Sequence, residues 1–200
     1  MAYTKTGFMK MLLSVIEERW SPRALTEPAP DPETLIRIFS AARLAPSSMN
    51  EQPWIFLAGK KGDKVWDGLL SSLVEFNKLW AVNSPVLVLA SGRKYYQKGD
   101  QSLNPTYAYD TGQAVAFLTL QAMQEGVYAH QMGGFDKEEV TRIFSLPEGL
   151  DPITIIALGY KGMAEILPSK IAALETGPKP RLPLESIIFG ESLGDSPWFL

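Results

Sequence analysis

Apolar residues at Phe8, Met11, Leu12, Val15 and Ile16 recur at the spacing of one helical face. That helix is expected to end near Trp20, because Pro22 biases the residue before it away from helical geometry. Arg19, three residues beyond Ile16, continues the stripe at the last turn. It reads either as a cation that snorkels and offsets the helix dipole, or as a guanidinium aimed at an anion, with Ser21 and Arg23 adding donors. A second helix is announced by Asp31 as N-cap, Pro32 at the first position and Glu33 in the first turn. Leu35, Ile38, Phe39 and Ala42 form its apolar face, and Pro46 marks its end. Residues 54–58 then read as a strand, 59–62 as a basic turn, and 63–81 as helical. In that last segment Val65, Trp66, Leu69, Leu70, Leu73 and Phe76 point inward, with Asn77 at the polar edge.

Residues 86–90 are apolar at every position, the pattern of a central strand covered on both faces. Residues 91–106 are polar and lack a period, so they form either a mobile lid or an ordinary surface excursion. A long helix over 107–125 is apolar around most of its circumference, which implies burial on more than one side, in the core or against a partner subunit. A short strand over 127–132 follows, and Gly133 and Gly134 then permit close backbone approach. Asp136 caps a short helix through about Phe144, 147–152 is a loop, and 153–158 is a second fully apolar strand. The last forty residues are proline-rich and cannot fold alone, so they pack onto this subunit or reach over another. Helices and strands interleave without repeat or linker. One α/β or α+β domain over residues 1–200 is expected, with a small sheet sandwiched by helices.

The chain of 200 residues is 46% hydrophobic and 20% charged, an ordinary globular composition. A net charge of -3 gives no overall attraction to nucleic acid or anionic lipid, so any anion site is local. No apolar run approaches the roughly 20 residues that span a bilayer, and no signal-peptide pattern is present, so neither membrane nor nucleic acid is an expected partner and a cytoplasmic location is. With no cysteine, thiolate catalysis and Cys-ligated metals are excluded. The single histidine, His130, lacks the companions of a metal site or a catalytic triad, and neither a P-loop nor a dinucleotide-binding glycine pattern occurs. His130 reads as a hydrogen-bonded core or interface side chain rather than a proton donor. What remains is a set of scattered donors, consistent with an organic cofactor that carries the chemistry.

The stretch PSSMNEQP, at 46–53, joins the second helix to the first strand. It places Ser47, Ser48, Asn50 and Gln52 between two stiffening prolines. Such a connection is either a well-made turn or a loop that presents polar groups to a flat ligand.

Five blocks in order carry a family likeness: ERWSPR at 18–23, ARLAPSSMNEQPW at 42–54, GVYAHQMGGFD at 126–136, IIALGY at 155–160 and KPRLPL at 179–184. Together they resemble the FMN-dependent nitroreductase family. The resemblance implies an α+β fold, a three-layer αβα sandwich with a small mixed sheet. It also implies an intertwined homodimer whose tail, from about residue 165, reaches over the partner. It implies two FMN sites, each built by both subunits. Arg19, Trp20 and Ser21 match the first flavin-binding block, with Arg19 on the phosphate and Arg23 near the N1 and O2 edge of the ring. Lys179 and Arg181 match the tail residues that complete the phosphate site. Pro46, Ser47, Ser48 and Asn50 match the loop that meets the flavin from the second subunit, and Asn77 matches an asparagine at the pyrimidine edge. Gln131, Met132, Gly133 and Gly134 match the segment that runs along the ring near N5. The implied activity is ping-pong hydride transfer from NAD(P)H through flavin N5 to a nitroaromatic, a quinone or a similar acceptor, with no catalytic side chain and no metal. Other flavin chemistry on the same scaffold (dehydrogenation, dehalogenation, flavin breakdown) and a non-catalytic flavin-binding dimer are the alternatives. Trp20 departs from the family pattern, which often has a basic residue there. Gly133 stands where a larger side chain is common, and the short chain implies a reduced lid.

Overall fold

The computed structural model describes residues 12–200, so Phe8 and Met11 lie outside the described residues. In chain order the elements are α1 (Ser14–Glu17), β1 (Leu25–Thr26), α2 (Pro32–Arg43), β2 (Trp54–Lys60), α3 (Lys64–Ser72), α4 (Glu75–Ala81), β3 (Val86–Arg93), α5 (Tyr107–Gln124), β4 (Tyr128–Met132), α6 (Lys137–Phe144), β5 (Leu150–Lys161) and α7 (Ser169–Thr176). Asp31 and Asp136 cap their helices as the sequence implies, and Asp63 adds a third cap that it did not announce. Asp31, Asp63 and Asp136 each accept a hydrogen bond from the third backbone N–H of the helix they precede.

The sheet is built on β3 and β5, whose alternating residues feed two cores. Leu87, Leu89, Ile155 and Ala157 face one side, where Trp66 and Leu69 of α3, Trp80 of α4, Val140 of α6 and Ile171 of α7 cover them. Val88, Ala90, Ile156 and Leu158 face the other, under Ile38 and Ala42 of α2 and Ala114 and Leu118 of α5. Helix, sheet and helix therefore form the expected three layers. Every pairing among the described residues is antiparallel, however, in place of the mixed sheet. The reason lies in the α3–α4 excursion. It leaves β2 at Lys60 and re-enters β3 at Val86, and these two residues are partners, so the chain returns from the end that it left.

Several boundaries differ from the sequence pattern. Helix α1 ends at Glu17 rather than near Trp20, and of its described apolar stripe Leu12 and Ile16 remain 43% and 45% exposed. The segment 63–81 splits into α3 and α4 because the N–H of Val74 donates to the carbonyl of Gly134 at 3.1 Å. That break resets the helical phase and turns Phe76 outward. Strand β5 begins at Leu150, taking in Pro152, which sits beside an irregularity in the β3–β5 ladder where a missing N–H is tolerated. Residues Ser91 to Arg93 belong to β3, and the rest of 91–106 folds back on itself through a Tyr95–Leu103 bridge. In the tail, Leu167 and Ile171 are buried in this chain's own core, but beyond Gly177 nearly every residue is exposed, Leu193 and Trp198 among the most. No helix among the described residues is long and apolar enough to cross a membrane.

Candidate functional site

The turn after α1 and the tail after α7 meet at a cavity of about 1100 Å³, walled by Arg19, Trp20, Lys161, Lys179 and Arg181 together with the apolar Leu12 and Ile16. Trp20 gathers two of these cations. Lys179 Nζ lies 4.0 Å and Lys161 Nζ 5.1 Å from its ring centroid, within reach of the ring's negative face. Trp20, carrying no charge itself, is thus a platform for two cations. Arg19 Nη1 donates to Ser21 Oγ at 3.5 Å. Burial first, and then the nearby charge of Arg181, push the Arg19 guanidinium below its ordinary pKa. Lys179 Nζ donates to the carbonyls of Glu175 and Gly177, and Arg181 Nη1 to those of Lys179 and Pro180. Glu17, Glu18, Glu165 and Glu175 also border the cavity, yet among the described residues none forms an ion pair with these four cations. Like charges gathered without carboxylate partners favour the approach of an anion.

Behind the cavity, the buried Glu175 fastens the turn to the tail. Its carboxylate accepts from the N–H of Arg23 at 2.9 and 3.0 Å and from that of Ala24 at 3.0 Å. His130, on β4, donates from Nδ1 to the Pro22 carbonyl at 3.0 Å and lies 4.4 Å from the Trp80 ring. This is the hydrogen-bonded side chain expected from the sequence. Burial lowers its pKa below 6.5, Arg23 lowers it further, and the Pro22 and Ser21 backbone and Glu175 partly oppose both. The unfolded state therefore binds the proton more readily, so His130 withdraws stability as pH falls below about 6.5 and the loss levels off once the folded state also protonates. Urea midpoints at pH 7.5 and 5.5 should show a smaller acid-side decline in His130→Phe than in the parent; an equal decline would place the acid sensitivity elsewhere.

The second group of predicted residues adjoins the first. The Arg23 guanidinium sits 6.0 Å from the Phe76 ring, next to Asn77, and its Nε is buried without a partner among the described residues. Asn77 Nδ2 donates to the Gly134 carbonyl at 3.1 Å, and its amide oxygen has no partner among the described residues. At Gly133 an added Cβ would meet nothing within 4 Å, so the backbone here borders open space. The side chain of Met132, by contrast, is buried in the core and only its backbone is available, while Gln131 is exposed and reaches Thr119 at 3.5 Å.

The third group stands apart. The loop carrying Pro46, Ser47, Ser48 and Asn50 is pinned at its own end of the sheet, where Asp110 of α5 accepts from the N–H of Ser48 at 3.1 Å and Ser47 Oγ accepts from that of Gln52 at 3.0 Å. Met49, Asn50 and Gln52 all take positive φ, so the loop is a specified conformation rather than a slack connection. It leads into Trp54, level with Gly92 and Asp151, whereas the cation cavity adjoins Lys161 at the far end of β5. Ten residues of strand separate those levels by about 33 Å. One chain therefore does not bring Ser47, Ser48 and Asn50 to Arg19.

Sequence reasoning missed Lys161 and Glu175. Lys161 follows directly on the IIALGY block and was legible there; Glu175 carried no local signal, because its role depends on contacts with residues some 150 positions away.

A model of the nitroreductase family matches residues 16–160. Among solved structures, an oxidoreductase containing FMN is 32% identical, and the match covers 92% of this chain and 94% of that one with a TM-score of 0.86. A Mycolicibacterium smegmatis protein, described only as an uncharacterized 15.4 kDa protein, is 32% identical over 60% of this chain and 79% of its own length. An Archaeoglobus fulgidus protein, provisionally named as an NADH dehydrogenase/NAD(P)H nitroreductase, is 25% identical over 76% of this chain and 86% of its own.

Proposed function

The chain belongs to the nitroreductase family and is an oxidoreductase of that family; from that premise we propose that it binds FMN and passes reducing equivalents from NAD(P)H to a small acceptor such as a nitroarene or a quinone. The observation that carries this reading is the convergence of cations from the two ends of the chain on one cavity without carboxylate partners. The residues present fit a flavin nucleotide. Arg19, Ser21, Lys179 and Arg181 would hold the phosphate, with Lys161 as a further cation and Trp20 as the platform of the two lysines. Arg23 would set positive charge at the pyrimidine edge, favouring an anionic reduced ring, and Asn77 would orient that edge through its amide oxygen. Gly133 and Gly134 would let the ring lie against backbone.

Bound FMN supplies the two-electron chemistry, which no side chain here replaces. For a nitroarene the balance is NAD(P)H plus one proton plus the nitro compound, giving NAD(P)+, water and the nitroso compound. A homodimer completes the site in this reading, with Pro46, Ser47, Ser48 and Asn50 contributed by the second subunit. The whole chain is then one FMN-binding unit, and its exposed tail, with Leu182, Leu193 and Trp198, covers the partner. Purified protein should be yellow, bleach with NADH or NADPH under nitrogen, and recover its colour on adding menadione or a nitroarene. A colourless protein that takes up no added FMN overturns the reading; flavin that stays oxidised under excess NAD(P)H points to other flavin chemistry on this scaffold.

A further inference from the structure

A second cavity, of about 650 Å³, opens at the opposite end of the sheet from the cation site, bounded by Ile55, Arg93 and Leu150. Its size suits a small organic molecule. Ile55, Tyr95, Tyr96 and Pro147 supply flat apolar surface, and Arg93 supplies a single positive charge. The wall is tied to the 46–53 loop at two points. The N–H of Arg93 donates to the Pro53 carbonyl at 2.9 Å, and the buried carboxylate of Glu51 accepts from the N–H of Gln97 at 2.7 Å. Glu51 is thereby turned to the backbone. Among the described residues the Arg93 guanidinium has no ion pair and donates no hydrogen bond. Arg93 is a half-buried residue beside two tyrosines, and its guanidinium has a planar fork of donors to satisfy.

We infer that the cavity walled by Ile55, Arg93, Tyr95 and Tyr96 binds a small planar aromatic carboxylate. The aromatic ring lies against the tyrosines and Ile55, and the carboxylate takes the Arg93 fork. Because the cavity wall is hydrogen-bonded to the 46–53 loop through Pro53 and Glu51, the bound molecule is the electron acceptor presented to the partner's flavin. This second half rests on the function proposed above; the binding of the carboxylate does not.

Calorimetry on the full-length protein incubated with FMN, titrated with benzoate and with benzamide, separates the two halves. Benzoate should bind at least about tenfold more tightly than benzamide, and Arg93→Gln should remove that difference, as expected for loss of a charge-assisted contact. The Arg93 backbone bond to Pro53 survives this substitution. Equal affinities in the parent, or unchanged benzoate affinity in Arg93→Gln, overturn the site. With NAD(P)H as reductant, 4-nitrobenzoate should likewise exceed 4-nitrobenzamide in kcat/KM by a similar factor that Arg93→Gln abolishes. A parent protein that binds benzoate but reduces neither compound leaves the carboxylate site standing and overturns its acceptor role; the proposed function falls with it only if menadione is not reduced either.

Discussion

Glu175→Ala is expected to cost about 2–5 kcal/mol of folding stability, because it strips the acceptors from two inward-facing backbone N–H groups, each worth about 1–3 kcal/mol when left unpaired. Those groups are the N–H of Arg23 and of Ala24, and no water replaces the carboxylate easily in a site where Glu175 is only 5% exposed. The same change should loosen cofactor binding. Glu175 holds the turn that bears Arg19, Ser21 and Arg23, and its own carbonyl holds Lys179 Nζ at 2.9 Å. Turn and tail would lose their common anchor together. Glu175→Gln retains one acceptor oxygen and should fall between parent and alanine variant in both measurements. The check is a urea midpoint paired with an FMN titration on the same preparation. An alanine variant as stable as the parent would show that the turn is held from elsewhere.

The parts of the fold that the sequence foretold are those determined by local chemistry. Asp31, Pro32 and Glu33 announce α2 because a cap and a first turn act within four residues, and the apolar run at 86–90 announces a central strand because burial on both faces leaves no polar position. The parts it concealed depend on distant partners. The break at Val74 answers to Gly134, sixty residues on, and the start of β5 at Leu150 answers to Arg93, with Pro152 masking the strand. The site divides in the same way. Arg19, Lys179 and Arg181 were legible as types of residue, but their convergence around Trp20 was not, since no periodicity reports a contact between chain ends. The apolar stripe of α1 was legible too, yet its burial was not: Leu12 and Ile16 remain open beside the cations.

If each site draws Arg19 from one subunit and Asn50 from the other, two damaged proteins should repair each other. Arg19→Ala removes a charged contact worth about 1.5–3 kcal/mol, a loss of roughly ten- to 150-fold in FMN affinity. Asn50→Gly removes the loop amide without straining the backbone, since Asn50 has φ 56° and glycine accepts that conformation freely. Each homodimer then has two impaired sites. In a mixed dimer one site combines both lesions, and the other combines the intact cation cluster of the Asn50→Gly chain with the intact loop of the Arg19→Ala chain. Equal amounts unfolded and refolded together should give mixed dimers as about half of the population, so about a quarter of all sites should recover the parent affinity. An FMN titration of the mixture should resolve that tight class, which neither protein shows alone. The roughly 33 Å of strand between the two groups is the physical reason for expecting it. A mixture that titrates as the plain average of its components would mean that each chain holds its cofactor unaided, and Ser47, Ser48 and Asn50 would then be only a well-made turn.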